Sequence, residues 1–386
     1  MQPDNKQTKQ KTYFVVAGEP SGDLHGAKLI AAIKKLTPDA SFVGLGGEKM
    51  KKEGLEILYH INQLSVMGFS EIIKHLPFYL KVLKVTIENI ISRKPDKIIL
   101  IDYPGFNLRL AKKCSHLSIP ISYFILPQLW AWKESRIKFF QKYIDQSLCI
   151  FPFEQRWFEK RGVATNYVGH PFTEDLQPKL SKTDFYQKHG ISKEKIFLTL
   201  IPGSRQQEVD KMWPVYYRSA IKIQERNDIE IVVAKGGGVV LPGAPGCHIE
   251  ENDTYAAMTY ATAAITTSGT ASLECAVLDT PQVVCYKLSW SSGLIAKLMN
   301  RAPFISMPNL IAEKQVVREY LQNEVNPTNI IKAIDPLLSD TPERKKMLQD
   351  FEQIRRSLGM PGVYESCLLY TSDAADEGLG VDLGGR

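Results

Sequence analysis

Nowhere in its 386 residues does the chain hold 18 uninterrupted apolar residues, so the sequence offers no helix able to span a membrane. It has no CxxC pair. Its six cysteines (Cys114, Cys149, Cys247, Cys275, Cys285 and Cys367) are scattered, several inside apolar runs. That pattern argues against a disulfide scaffold and for buried thiols in a reducing compartment. The opening, MQPDNKQTKQKT, is polar and lacks the apolar core of a signal peptide. A full GxGxxG fingerprint is missing as well, and GLGGEKM (Gly44 to Met50) is only a fragment of one. No aspartate-x-aspartate pair falls at a strand end, so neither a bound metal nor a cofactor is expected. The net charge of +6 suits phosphorylated ligands or an anionic membrane surface but is too small to argue for nucleic acid.

At 43.5 kDa, with 44% hydrophobic and 23% charged residues, the chain fits two α/β domains better than one core. Apolar strands at Tyr13–Ala17, Ser41–Val43, Lys97–Ile101, Ile119–Ile125, Leu148–Phe151 and Asn166–Val168 alternate with helical segments. The polar, proline-bearing GHPFTEDLQPKLSK then marks a boundary, after which the rhythm resumes. The expected division is 1–170, 171–345, a short return helix in 346–362, and an atypical tail, 363–386.

The stretch LTLIPGSRQQEV (Leu198 to Val209) organises the second half. A β-branched run ends at Pro202-Gly203, Ser204 is placed to cap the next helix, and Arg205 stands in the turn with a side chain that can grip phosphate by two hydrogen bonds. Backbone amides left unpaired at such a turn attract anions. Ser268-Gly269-Thr270 repeats the arrangement after a second strand, and Glu274, one helical turn on, suits sugar hydroxyls. A turn at Pro308-Asn309 precedes an expected helix carrying Gln315, Arg318 and Glu319. Two phosphate-competent turns and one ribose-competent carboxylate are what a nucleotide diphosphate requires.

In the first half, Asp102 ends a parallel-type strand, where open α/β sheets place ligands; Asn107 follows in the next helix. GEPSGDLHG (Gly18 to Gly26) puts Glu19, Ser21 and Asp23 at another strand-to-helix turn, with Ser21 or Asp23 as the cap. Trp130 and Trp132, with Lys133, Arg136 and Lys138, either rim a pocket or anchor a helix. His170 is either a ligand contact or a hinge residue. The run from Leu64 to Ile90 carries Val66, Met67, Phe69, Ile72, Ile73, Leu76, Phe78 and Tyr79 among lysines. It reads as two short helices broken at Pro77, a basic-rimmed apolar patch facing either a membrane or the protein's own sheet or a partner subunit.

GEPSGDLHG, VMGFSEI (Val66 to Ile72), IDYPGFN (Ile101 to Asn107), QLWAWKESR (Gln128 to Arg136), FPFE (Phe151 to Glu154), VGHP (Val168 to Pro171), LIPGSRQQEV (Leu200 to Val209), TTSGTASLE (Thr266 to Glu274) and SMPNLIA (Ser306 to Ala312) occur in that order. Over about residues 12 to 362 the sequence resembles the lipid-A-disaccharide synthases, bacterial glycosyltransferases of GT-B fold. The resemblance implies two Rossmann-like domains facing each other across a cleft. It also implies transfer from UDP-2,3-diacylglucosamine to 2,3-diacylglucosamine 1-phosphate, giving a β-1′,6-linked disaccharide and UDP. It puts the base on Asp102, and donor contacts on Gly203, Ser204, Arg205, Ser268, Gly269, Thr270, Glu274 and Asn309. Glu19, Ser21, Asp23, Asn107, Trp132 and His170 fall on the acceptor side, and the Leu64–Val85 patch on a peripheral contact with the inner face of the inner membrane. Gln315 stands where the family usually has glutamate. The acidic, glycine-rich stretch after Gly362 departs from the pattern and reads either as non-native sequence following a truncated return helix or as a genuine disordered tail. Oligomeric state stays open. The rival readings are an enzyme like a UDP-N-acetylglucosamine 2-epimerase, and a non-catalytic nucleotide- or membrane-binding protein.

Overall fold

The computed structural model describes residues 10–65, 72–131, 133–287 and 304–371; Val66, Met67, Phe69 and Trp132, and the side chains of Ile72 and Ile73, lie outside what it describes. The chain divides into two compact units, one of residues 1–170 with 362–386, the other of Pro171–Pro361.

The first unit is built on a seven-stranded sheet, parallel throughout: β1 (Thr12–Ala17), β2 (Ser41–Gly46), β3 (Leu55–His60), β4 (Lys97–Ile101), β5 (Ile121–Phe124), β6 (Gln146–Cys149) and β7 (Thr165–Tyr167). Their order is β3-β2-β1-β4-β5-β6-β7. Phe14 to Ala17 and Ile99 to Ile101 are wholly buried, because helices cover both faces of the two central strands and leave no side for polar residues. The helix Pro20–Leu36 begins with Pro20 in its first turn and Glu19 as N-cap, without a side-chain cap. Neither Ser21 nor Asp23 caps it, contrary to the sequence expectation. Asp23 is buried and points sideways, accepting from the amides of Gly47 (2.7 Å), Lys49 and Met50 (both 3.1 Å), so it caps the neighbouring helix Glu48–Lys52. Gly26 is a seat for Met50, whose Sδ would lie 2.6 Å from an added Cβ.

Pro77 does not break the chain into two helices: Ile72–Arg93 is one helix with Pro77 inside it. Phe78 and Tyr79 pack partly against the core, edge-on to Tyr59 and Phe106, whereas Leu76 and Leu80 are exposed. Of the atypical tail expected at 363–386, only the part up to Thr371 is described. Val363–Thr371 is a helix lying on Pro20–Leu36, with Val363, Tyr364, Cys367 and Leu368 buried. It is this segment that returns the chain to the first unit, while Pro342–Ser357 belongs to the second.

The second unit has a six-stranded parallel sheet: β8 (Ile196–Ile201), β9 (Ile229–Ala234), β10 (His248–Glu250), β11 (Ala263–Thr267), β12 (Gln282–Tyr286) and β13 (Arg318–Leu321). The order is β10-β9-β8-β11-β12-β13. Arg318 and Glu319 therefore lie on an edge strand, not a helix. Pro308 and Asn309 lie inside the helix Met307–Ala312 rather than in a free turn, and Gln315 is exposed in the connection between them. All six cysteines are free thiols, five of them buried. Among the described residues no helix is long and apolar enough to cross a membrane.

Candidate active site

In each sheet the strand order reverses once, between β1 and β4 and again between β8 and β11. Connections leave such a pair in opposite directions and open a crevice at the carboxyl ends. Both groups of candidate residues stand at these two places.

At the first switch point Asp102 follows β4 directly and is half-buried. Asp102 and Tyr103 both adopt left-handed backbone, φ 45° and 49°, a conformation costly for residues with a Cβ. Three contacts hold it. The Asp102 amide donates to the Phe124 carbonyl (3.0 Å), and its carbonyl accepts from the Tyr123 hydroxyl and the Asn107 amide, both at 2.6 Å. The Tyr103 ring then fills the space over Gly18, where any Cβ would come within 2.4 Å of it. Asp102 does not cap the following helix: Tyr103 is the N-cap, without a side-chain bond. The carboxyl is pushed up from 3.8 to about 6 by burial and then by repulsion from Glu19, the Tyr103 backbone opposing. It is thus ionised at neutral pH yet able to take a proton.

Around it, Glu19 and Ser21 are exposed at the end of β1. Asn107 is buried, its amide nitrogen donating to the Ile101 and Asp102 carbonyls, so it braces Asp102, while its Oδ1 has no partner among the described residues. His170 is buried against Phe151, and burial, with His25 nearby, pushes its pKa down to about 3, keeping it neutral. Trp130 anchors a loop: its indole donates to Glu154 Oε1 at 3.1 Å. Glu154, which the sequence reading passed over, is fully buried.

At the second switch point, Pro202–Arg205 follows β8 and Ser268–Thr270 follows β11, two strands paired in parallel. The Thr267 hydroxyl ties their ends by donating to the Ile201 carbonyl (2.9 Å). The two turns therefore open on one edge of one sheet. Gly236, after β9, comes within 3.5 Å of Ser204 measured from its would-be Cβ. Arg205, not Ser204, is the N-cap of Gln206–Gln224. Ser204 and Arg205 are exposed, and Arg205 makes no ion pair among the described residues. Its charge is felt by the Tyr286 phenol at the end of β12.

Gly269 takes φ 137°, leaving its own amide and that of exposed Thr270 at a helix start. The Ser268 hydroxyl is committed as donor to the Ile305 carbonyl (2.7 Å), so it has only lone pairs to offer. Burial lifts Glu274 to about 7. Asn309 was expected among the donor contacts, but its side chain is spent internally. It donates to the Val317 carbonyl and to Glu319 Oε1 (2.9 and 2.7 Å) and accepts from the amides of Val316 and Val317. Glu319 also holds the Ile305 and Ser306 amides, so this pair fastens the chain entering Met307–Ala312.

Residues 13–366 match the family described as lipid-A-disaccharide synthetase. A lipid-A-disaccharide synthase of Myxococcus xanthus (strain DK1622) is 35% identical over 373 residues, covering 92% of this chain and 95% of its own. Among solved structures, the calicheamicin glycosyltransferase has a TM-score of 0.59 at 14% identity, over 95% of this chain and 100% of that one. The UDP-GlcNAc 2-epimerase from Neisseria meningitidis bound to UDP-GlcNAc has a TM-score of 0.61 at 12% identity, over 93% and 98%. At those identities the two structures bear on the fold alone, two Rossmann-like parallel-sheet units of GT-B class. The sequence matches, which run through both units, carry more: the chain belongs to the lipid-A-disaccharide synthetase family.

Proposed function

We propose that the chain is an inverting glycosyltransferase that joins UDP-2,3-diacylglucosamine to 2,3-diacylglucosamine 1-phosphate, releasing UDP. The observation that carries the mechanism is Asp102, a half-buried carboxyl raised to about 6, held at a switch point by backbone braces rather than by a cation. An α-linked donor giving a β-linked product needs one displacement. The acceptor 6-hydroxyl oxygen bonds to the anomeric carbon, its proton passes to Asp102, and the bond from that carbon to the diphosphate oxygen breaks. The charge gathering on UDP is met by Arg205 and by the amides of Gly269 and Thr270. Glu274 accepts from ribose hydroxyls. Exposed Leu76 and Leu80, beside exposed Lys81 and Lys84, support a peripheral contact with the cytoplasmic face of a membrane.

Incubation with both lipid monosaccharides and mass spectrometry of the products tests the reaction. Disaccharide 1-phosphate and UDP in equal amounts are expected; consumption of the UDP-sugar without the lipid acceptor would instead favour epimerase chemistry. Co-sedimentation with anionic vesicles tests the membrane contact, and should fall when Leu76 and Leu80 are both replaced by glutamine.

A further inference from the structure

Glu154 is the carboxyl the mechanism does not use. It lies in the first turn of the helix Pro152–Glu159, which starts three residues after β6 ends, and it is fully buried. Oε1 accepts from the Trp130 indole at 3.1 Å, and Oε2 has no hydrogen-bond partner among the described residues. Its surroundings are aromatic. Trp130 meets Phe153 edge-on at 5.2 Å, Phe153 stacks on Phe151, and Phe151 packs on His170. The loop bearing Trp130 leaves β5 at Phe124, the residue whose carbonyl holds the Asp102 amide. A shift of that loop therefore reaches Asp102 through one hydrogen bond.

We propose that Glu154 is a positioning residue of the Asp102 site, a buried carboxylic acid that must stay uncharged while its Oε1 fastens the Trp130 loop. A buried carboxylate with one oxygen unpartnered is the costlier form, whereas the neutral acid removes the net charge and keeps the indole bond. The titratable groups around it work in the same direction. Burial lifts Glu154 to about 8, the Trp130 indole and the Phe151 backbone oppose the rise, and the charge on Asp102 adds to it. Cys149, at the end of β6, is likewise pushed up by burial and by Glu154. No cationic side chain figures among the causes of the Glu154 shift. Of two coupled acids, the one that ionises second bears the repulsion, so Asp102 loses its proton near 6 and Glu154 keeps its own until about 8. Between those values Asp102 is an anion and Glu154 a neutral acid.

The proposal rests on Asp102 as base, and its test has one arm that does not. In the first arm, the difference in Tm between E154Q and wild type is followed with pH. Glutamine copies the neutral acid in shape and cannot ionise. Because Glu154 titrates higher folded than unfolded, wild type loses stability as pH rises from about 4.5 to about 8. The difference should grow in favour of E154Q over that range and then level off. A difference that does not change with pH overturns the proposal. In the second arm, kcat/KM for disaccharide formation is followed with pH. Wild type should fall above about 8, and E154Q should retain the limb near 6, lose the upper one and exceed wild type about tenfold at pH 9. W130F, which removes the indole donor that favours the ionised form, should lower kcat and move the upper limb to higher pH. An upper limb that persists in folded E154Q also overturns the proposal. A Tm difference that varies as expected, in a protein forming no disaccharide, would keep the protonated Glu154 and remove the reading of the reaction.

Discussion

The two switch points share a topology and differ in almost everything else. At β1/β4 the ligand-side groups are acids: Glu19 exposed, Asp102 half-buried on strained backbone, Glu154 buried behind them. At β8/β11 they are an arginine with no ion pair among the described residues, a glycine at φ 137° and the amides of a helix start. A parallel sheet thus fixes where a ligand sits without fixing its charge. On the proposed function, one crevice takes a proton and the other an anion.

The sharpest way to break this comparison is to remove the acid. Asp102→Ala should lower turnover by about 10²–10⁴-fold and leave UDP binding, measured by calorimetry, little changed. A parallel loss of UDP affinity would mean that the acidic crevice also serves the donor. Arg205→Ala comes next. Loss of one donor to a developing anion is worth about 3–4 kcal/mol, so kcat/KM should drop by about two to three orders of magnitude, with lysine restoring only part.

A subtler effect sharpens the contrast in stability. The folded state raises the Asp102 pKa, so it binds that proton more tightly than the unfolded chain does. Stability from this group is therefore present at low pH and lost as pH rises from about 4 to about 6. Asp102→Asn should stabilise the protein at pH 7 by an amount on the order of 3 kcal/mol, read as a higher Tm, and the gain should vanish near pH 4. Asparagine also tolerates the left-handed conformation. The smallest effect concerns the seat of Tyr103. Gly18→Ala forces a methyl against the ring and should cost about 1–3 kcal/mol in thermal denaturation, with a lesser fall in rate.

The central strands were legible because they carry unbroken apolar runs, and so were the turns that end them: Asp102 after KIILI, Arg205 after IFLTLI. The strands that sequence reasoning missed, β3, β10 and β13, are all sheet edges. An edge strand is covered less, so LEIL, HIE and REYL carry polar residues and lose the signature of burial. Asp23 and Asn309 looked like ligand contacts because they stand beside glycine-rich or proline-bearing turns, yet each spends its side chain on backbone groups of this chain. Only packing distinguishes those outcomes. Glu154 was hidden for a related reason. A glutamate in a helix's first turn normally faces solvent and offsets the dipole, and its aromatic neighbours Phe151, Phe153 and Trp157 gave the only hint of burial.

The first unit is discontinuous along the chain, closing only with Val363–Thr371. On the ribosome, about 190 residues of the second unit emerge before that closure can occur. Until then the contact of Pro20–Leu36 with Val363–Thr371, including the 2.9 Å bond between His25 and the Tyr364 hydroxyl, cannot form. Domains usually mature in the order of synthesis; here the one that starts first finishes last, and a nascent chain released early carries a bare apolar stripe.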